Sequence, residues 1–320
     1  MLVRYYVKFL PYPIVEILKE IRRKLYRFRK PKVSKIQIIN DLKKLGVEEG
    51  DVLYVFSSLK SIGYVPGGPE VVIDALTEAL GPDGTLVLPC FYFIGGEMTL
   101  TLEENKIFNP KTTPTVLGLI PEAFRRRPGV YRSVHPTHSV CAFGSRAKWI
   151  TDGHENCATT FGKGTPFDKM MELDAKSLGI GVNIFRVISF IHYFEDVTDN
   201  FPINVYCEKK YEVRVIADGE IKTMKVKAHD PEVAKTRTDH KQGEFIREYL
   251  TDYLIHRGLL KVGFVGEAES WVIRVRDFVK ALKELAEMNI TVYTTREELN
   301  NLLPSPNESE RLGTCCENSQ

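Results

Sequence analysis

Two histidines, His135 and His138, stand three residues apart in the stretch RSVHPTHSV at residues 132–140. Such a pair can supply zinc ligands, a catalytic base with its support, or polar groups that hydrogen-bond the backbone of a buried bend. A zinc site would need further ligands, for which the candidates are Cys141, His154 and Cys157. Pro136 disfavours a helix, and no glutamate separates the histidines, so the pattern differs from the helical zinc-protease motif. We therefore expect no metal, and the other two interpretations stay open.

A second candidate is a polar helix face predicted within residues 189–199. The residues that share this face are Ser189, His192, Glu195, Asp196 and Asp199. One histidine beside three acids suits general-base work or the binding of a cationic amine. The alternative is an ordinary solvated polar face, which the spacing cannot distinguish from a site.

The third candidate is the glycine-rich loop between Ser57 and Pro69. Gly63, Gly67 and Gly68 would let its backbone approach a ligand closely, and the helix that follows offers N–H groups to an anion. The loop suits a phosphate or pyrophosphate, although it matches neither the Walker A sequence nor the dinucleotide fingerprint. A plain turn is the alternative.

The elements that must position these residues form an α/β pattern. An apolar strand at 52–58, the glycine-rich loop, an amphipathic helix at 70–80 and the strand TLVLPCFYF make a β-loop-α-β unit. Ser34 is predicted to cap a preceding helix that ends at Gly46. Further predicted elements are helices at 115–127, 189–199, 243–257 and 270–288, a strand at 176–182, and a β-hairpin at 211–228 that turns at Asp218-Gly219. We predict a mixed central sheet flanked by helices, with a β-hairpin and a helical substrate region.

Composition predicts a globular protein with a basic N-terminus. The chain has 320 residues, 43% hydrophobic and 27% charged, and a net charge of +2. Residues 1–32 carry ten Lys/Arg against two Asp/Glu, and an apolar stripe within 14–30 predicts an amphipathic helix that could contact an anionic membrane or pack on protein. We predict three parts: this helix at 1–32, one catalytic domain at 33–303 and a disordered tail at 304–320.

The chain carries no apolar run long enough to span a membrane and no recognisable signal peptide. Its six cysteines are scattered, which favours a reduced, cytoplasmic setting, at the inner face of the membrane if the N-terminal helix binds lipid. We expect a small-molecule partner rather than nucleic acid, and a homo-oligomer stays open.

The order of these motifs resembles the aminoglycoside 3-N-acetyltransferase family. The resemblance rests on SSLKSIGYVPGG, GPDGTLVLPCF, RSVHPTHSV, FGKGTPF, LGIGV and HYFE, and covers residues 34–303. It implies acetyl-CoA as the co-substrate, His138 as the catalytic histidine and Glu195 as the acid of the H-x-x-E element. The residues it implies for CoA binding are Ser57, Ser58, Leu59, Ile62, Gly63, Val65, Gly67, Gly68 and Ser133, and those expected to bind the amine are His192, Asp196 and Asp199.

The resemblance leaves the acceptor open. Phe56 and Cys90 stand where relatives often carry histidine and threonine, and residues 206–241 are rich in lysine and arginine. That charge favours an anionic or nucleotide-linked amino sugar of the cell envelope, with an aminoglycoside antibiotic as the alternative. Further alternatives are a zinc-dependent hydrolase and a non-catalytic envelope protein. In the transferase interpretation, histidine takes the proton of the amine while a carboxylate holds the imidazole.

Overall fold

The computed structural model describes residues 31–92, 98–157, 159–199, 201–241 and 244–302. The helix predicted within 14–30 and the tail predicted to be disordered at 304–320 lie outside these residues. No helix in the described ranges is long and apolar enough to cross a lipid bilayer.

The predicted β-loop-α-β unit forms the centre of the molecule. Strand β1 (Val52–Ser57) pairs in parallel with β2 (Thr85–Pro89) on one side and β5 (Lys176–Ile180) on the other. Side chains of β1 alternate between two apolar cores: Leu53 and Val55 face one, and Tyr54 and Phe56 face the other. A strand buried on both faces reads as a continuous apolar run, which is why the sequence predicts it well.

Within the described part of the chain, the central sheet has seven strands in the order β3-β4-β2-β1-β5-β9-β8. Its outer strands are β3 (Tyr131–Arg132), β4 (Val140–Gly144), β8 (Lys261–Val265) and β9 (Ala268–Arg274), all antiparallel to their neighbours. The parallel centre with antiparallel edges confirms the predicted mixed sheet.

Helices cover both faces of this sheet. The face bearing Leu53 is covered by α1 (Lys35–Leu45), α3 (Pro69–Leu80) and α5 (Leu119–Phe124). The opposite face is covered by α7 (Pro166–Glu172), α9 (Phe190–Val197), α12 (Glu244–His256) and α13 (Val275–Glu287). Short helices complete the chain: α2 (Leu59–Ile62), α4 (Met98–Glu103), α6 (Ala147–Thr151), α8 (Ile184–Val187), α10 (Pro231–Ala234), α11 (Thr238–Lys241) and α14 (Arg296–Leu302).

Local signals explain the ends of α1. The Ser34 hydroxyl accepts a hydrogen bond from the Gln37 amide at 3.1 Å, and Gly46 ends the helix with φ at 97°. Glycine adopts this left-handed conformation without the steric cost of a Cβ atom. Both predicted ends of this helix are confirmed.

The helix predicted at 270–288 is wrong in its first part. Residues 270–274 belong to β9, and α13 begins only at Val275. Trp271 faces one core and Val272 the other, so the strand is apolar on both faces and is followed directly by the helix after Arg274. Periodicity alone cannot separate such a strand from a buried helix.

The predicted β-hairpin is confirmed and lies outside the central sheet. Its strands β6 (Tyr206–Ala217) and β7 (Glu220–His229) are antiparallel, and both turn residues have positive φ, 55° at Asp218 and 85° at Gly219. The hairpin has a small apolar core of its own, formed with helix α4 and Phe108. Its last residue, His229, reaches the cluster described next.

Candidate active site

The candidate site lies where the parallel strands end, on the face of the sheet covered by α9. Ring contacts with Phe161 bring together His138 at 4.7 Å, His192 at 5.1 Å and His229 at 5.5 Å between centroids. These histidines come from the β3–β4 loop, from α9 and from the end of the hairpin. Ligands of α/β sheets commonly bind at this edge, where loops from several strands meet.

His192 and Glu195 form the shortest polar pair of the cluster. The Nδ1 atom of His192 lies 2.8 Å from Oε2 of Glu195, one helical turn further along α9. An ionised carboxylate can only accept, so Nδ1 carries the proton and Nε2 carries the lone pair. The His192 side chain is 27% exposed, whereas that of Glu195 is buried. The pair thus places a basic nitrogen opposite its buried carboxylate.

Two further contacts position this pair. The Tyr293 hydroxyl donates to Oε1 of Glu195 at 3.0 Å, and Ser189, at the start of α9, lies 3.3 Å from the buried Tyr54 hydroxyl. Burial alone would raise the pKa of Glu195, but the adjacent His192 together with Arg237 and His229 lowers it to about 2. Glu195 is therefore ionised throughout the physiological range.

His138 is held through a hydrogen-bond chain that begins at His135. The backbone amides of Thr137 and His138 donate to Nδ1 of His135 at 3.4 and 3.3 Å, so this nitrogen is unprotonated. The Thr137 hydroxyl, 3.1 Å away, donates to the same nitrogen and accepts from Nδ1 of His138 at 3.1 Å. His135 thus fixes the orientation and tautomer of His138, a structural use of the paired histidines.

The support that we expected Glu195 to give His138 is absent, because the two Glu195 oxygens bond His192 and Tyr293 instead. His138 is also 9% exposed and edge-on to Phe91 at 4.5 Å. Burial, and then the neighbouring histidines His229 and His192, lowers the pKa of His138 well below its usual value. A buried imidazole that resists protonation is a poor proton acceptor, so the geometry favours His192 over His138 as the base.

Ser133, predicted to bind the cofactor, is fully buried in a different network. Its hydroxyl accepts from the Val140 amide at 2.9 Å and donates to Nδ1 of His154 at 3.0 Å. Nε2 of His154 in turn donates to the Thr160 carbonyl at 3.1 Å. These partners occupy the polar groups of Ser133, so it supports the β3–β4 loop rather than a ligand.

The zinc alternative finds no geometric support. His135 stacks on His154 with ring centroids 4.5 Å apart. Ring nitrogens of both residues are hydrogen-bonded to protein groups and so do not offer lone pairs to a metal ion. Within the described ranges, no group of three or more histidine, cysteine or acidic side chains is arranged to hold a metal ion.

The glycine-rich loop leaves β1 at the same edge of the sheet. Gly63, Gly67 and Gly68 have φ values of 111°, 91° and 64°, which turn the backbone sharply before α3. Ile62 and Val65 are buried in the core, so these two predicted CoA contacts can offer only backbone atoms. Leu59 is partly buried against the same core, and the Ser58 hydroxyl accepts from Ser61 at 2.8 Å.

Ser57 carries an observation that points to a ligand. Its hydroxyl oxygen, at the end of β1, is buried and has no hydrogen-bond partner among the described residues. A buried hydroxyl without a partner is costly unless another group satisfies it. Together with the sharply turned glycine backbone of the loop, this atom fits a polar co-substrate such as the amide-rich and diphosphate-bearing CoA.

The two acids predicted to bind the amine, Asp196 and Asp199, lie in different environments. Asp196 is half-buried and accepts from the Thr159 hydroxyl at 2.5 Å, and burial raises its pKa. Asp199 lies beyond the end of α9 and is exposed. Only Asp196 therefore lies close to the histidine cluster with restricted access to water.

Sequence reasoning did not find Arg237, His229 and Tyr293. They lie 45, 37 and 101 residues from His192 along the chain, and no local pattern marks them. Arg237 places Nη1 3.5 Å from Nε2 of His192, and the His229 ring lies 4.6 Å from the His192 ring. The hairpin brings His229 into the site, and the loop before α11 brings Arg237.

Comparison with known proteins places the chain in one family. A family model described as "Aminoglycoside 3-N-acetyltransferase" matches residues 54–287, more than half of the chain. The aminoglycoside N(3)-acetyltransferase III of Salmonella sp is 38% identical over 173 residues, which are 51% of this chain and 60% of that protein. The chain thus aligns with about three fifths of that relative's length.

Two more relatives extend the match. The aminoglycoside N(3)-acetyltransferase VII of Streptomyces paromomycinus is 27% identical over 263 residues, covering 77% of this chain and 89% of that protein. The solved structure described as "AAC-VIa bound to Sisomicin" superposes with a TM-score of 0.69 at 25% identity, covering 82% of this chain and 100% of that one. The likeness thus spans both the sheet and the candidate site.

Proposed function

Because the chain belongs to the aminoglycoside 3-N-acetyltransferase family, we propose that it moves the acetyl group of acetyl-CoA to an amine of an aminoglycoside, with His192 as the general base. The observation that carries this proposal is the 2.8 Å contact between Nδ1 of His192 and the buried carboxylate of Glu195. This contact leaves Nε2 as the proton acceptor on a side chain that is partly exposed. A base must be reachable and must prefer the correct tautomer, and His192 meets both requirements.

The proposed reaction passes one proton from the amine through His192 to the leaving sulfur and needs no covalent enzyme intermediate. His192 Nε2 takes a proton from the acceptor amine, whose nitrogen then attacks the thioester carbon that acetyl-CoA supplies. The carbon–sulfur bond breaks, and the CoA sulfur leaves with its electron pair and takes the proton back from the His192 imidazolium. Glu195 stabilises the imidazolium formed at His192, as the buried acid of a catalytic triad does. Backbone amides of the Ser57–Gly68 loop are candidates to stabilise the oxyanion of the tetrahedral intermediate.

The acceptor that we propose differs from our first choice at the sequence level. The basic residues of the segment 206–241 favour an anionic amino sugar at the sequence level, but three exposed lysines of the hairpin have acidic partners. The pairs are Lys209 with Glu103, Lys222 with Asp218, and Lys225 with Glu212, at 2.7 to 3.4 Å. Charges that are exposed and paired exert a weak, screened field. The family and its relatives' names favour an aminoglycoside instead.

Matched substitutions of the two candidate bases test the assignment. We expect His192→Gln to lower kcat about a hundredfold or more, because a general base typically contributes a factor of this size. His138→Gln should cost much less, since it removes a positioning contact rather than the proton acceptor. The measurement is thiol release from acetyl-CoA in the presence of an aminoglycoside. A large loss in His138→Gln with an active His192→Gln would reverse the assignment.

The substrates need a separate experiment. The unaltered protein should release CoA thiol with aminoglycosides and not with nucleotide-linked amino sugars, and acetyl-CoA should raise its Tm. Thiol release only with nucleotide-linked sugars would overturn the acceptor. A Tm unchanged by acetyl-CoA would overturn the donor.

A further inference from the structure

Arg237 places a buried cation against the nitrogen that has to accept the proton. Its Nη1 lies 3.5 Å from Nε2 of His192, the nitrogen opposite Glu195. A guanidinium is always protonated and can only donate, so it cannot take the proton itself. His192 therefore sits between a carboxylate at Nδ1 and a cation at Nε2.

The position of Arg237 is fixed from behind. Its Nε and Nη2 donate to the two carboxylate oxygens of Asp239 at 3.0 and 2.9 Å, and both side chains are buried. The Asp239 carbonyl accepts from the buried Arg247, and the Thr238 amide and hydroxyl bond the Val292 carbonyl. A bidentate pair of this kind fixes the plane of the guanidinium, so Nη1 cannot swing away freely.

We infer that Arg237 is a positioning residue that keeps His192 neutral before the acceptor binds, an inference that rests on the proposed role of His192 as the base. Glu195 favours the protonated ring, because a buried carboxylate stabilises an adjacent imidazolium. Arg237 favours the neutral ring, because a like charge beside Nε2 opposes protonation. The two effects oppose each other across one imidazole. At 3.5 Å the contact between Nη1 and Nε2 is long, so an incoming amine can replace it at the lone pair.

The other groups that face His192 do not supply such a cation. His229 from β7 and His138 from the β3–β4 loop are both buried, and burial lowers the pKa of each, so they stay neutral. Phe161 is apolar, and Glu195 is the anion already described. Among the described residues, Arg237 thus supplies the permanent positive charge that contacts the His192 ring.

The test is the pH dependence of kcat/KM for Arg237→Gln. Without the cation, His192 should hold its proton to higher pH, so the acid limb of the profile should move up by about one pH unit. Arg237→Lys, which retains a charge, should move it less. Arg214→Gln removes an exposed hairpin arginine and serves as the matched control, with no shift expected.

Two further measurements keep the inference testable. If Arg237→Gln does not fold, the double variant Arg237→Gln/Asp239→Asn removes both buried charges and should show the same upward shift. NMR titration of the His192 ring nitrogens, without substrate, should show it directly. An unmoved titration would overturn the role of Arg237 even if the His192→Gln result holds, and a raised KM for acetyl-CoA with an unmoved acid limb would make Arg237 a ligand contact instead.

Discussion

At the scale of single residues, three neighbouring histidines serve three different purposes. His192 presents a lone pair, His138 is held by Thr137, and His135 accepts the amides that shape their loop. The difference lies in what each Nδ1 atom contacts: a carboxylate, a hydroxyl or backbone N–H groups. Histidine chemistry is set by this partner, since it selects the tautomer and the charge.

Glu195→Gln tests the partner of His192. An amide can present its NH₂ group to Nδ1 and stabilise the wrong tautomer, so kcat should fall by about a hundredfold or more with little change in KM. Asp199→Asn is the matched control, because Asp199 is exposed beyond the end of the same helix. Steady-state rates of acetyl transfer measure both variants. Equal activities in the two would show that the buried carboxylate does not support the base.

Part of this site could be predicted from the sequence. Helical spacing placed His192 and Glu195 on one face, and the structure has them in contact. The role of base could not be assigned, because spacing does not reveal that Glu195 faces away from His138. Arg237 and Tyr293 approach from 45 and 98 residues away from the partners they contact, a distance that only the fold closes.

At the scale of secondary structure, predictions succeed where a local signal marks both ends. Ser34 and Gly46 bound α1, and Asp218-Gly219 marks the hairpin turn. Predicted limits are wrong where no side-chain cap separates neighbouring elements. The helix predicted at 115–127 is limited to Leu119–Phe124 in the structure. The first residues of the helix predicted at 270–288 belong to strand β9. In β9 the packing of two cores, rather than local preference, decides the conformation.

Lys176 at the amino end of β5 illustrates how the sheet is tied together. Its ammonium group is nearly buried and bonds the Gly46 carbonyl, Glu48 and Asp51 at 2.8 to 3.0 Å. We expect Lys176→Met to lower the free energy of unfolding by about 3 kcal/mol, because the partly buried Asp51 carboxylate loses its cation and keeps the Glu48 amide as a donor. Urea denaturation measures this loss, and kcat/KM should not change, since the site lies at the opposite end of the strands.

The control for this prediction is Lys35→Met, the same substitution in an exposed ion pair. Lys35 bonds Glu78 at 2.7 Å, but both side chains are largely in water. The expected loss is much smaller than that of Lys176→Met, because water screens an exposed ion pair. A loss as large as that of Lys176→Met would mean that burial is not what makes the β5 contact important.

At the scale of the whole molecule, buried neutral histidines make stability depend on pH. Burial, opposed by the hydrogen bond to Thr160, lowers the pKa of His154 from 6.5 to about 3. Above pH 6.5 the folded and unfolded states are both neutral there. Between about 6.5 and 3 only the unfolded state binds the proton, so the free energy of unfolding should fall by about 1.4 kcal/mol per pH unit from this group.

Denaturant unfolding from pH 7.5 downward checks this slope. His154→Gln removes one titrating group, so its stability should fall less steeply below pH 6.5 than that of the unaltered chain. The variant also loses hydrogen bonds to Ser133 and Thr160, which lowers stability at every pH but leaves the slope as the readout. Parallel curves for the two proteins would contradict the prediction.

The hairpin that delivers His229 packs around its own apolar residues rather than on those of the sheet. Tyr211, Val213, Met224 and Val226 form that small core, together with Leu102 and Phe108. In evolutionary terms, such a module can diverge without eroding the scaffold beneath it. Changes confined to the hairpin core leave the contact between His192 and Glu195 in place, because neither residue belongs to that core.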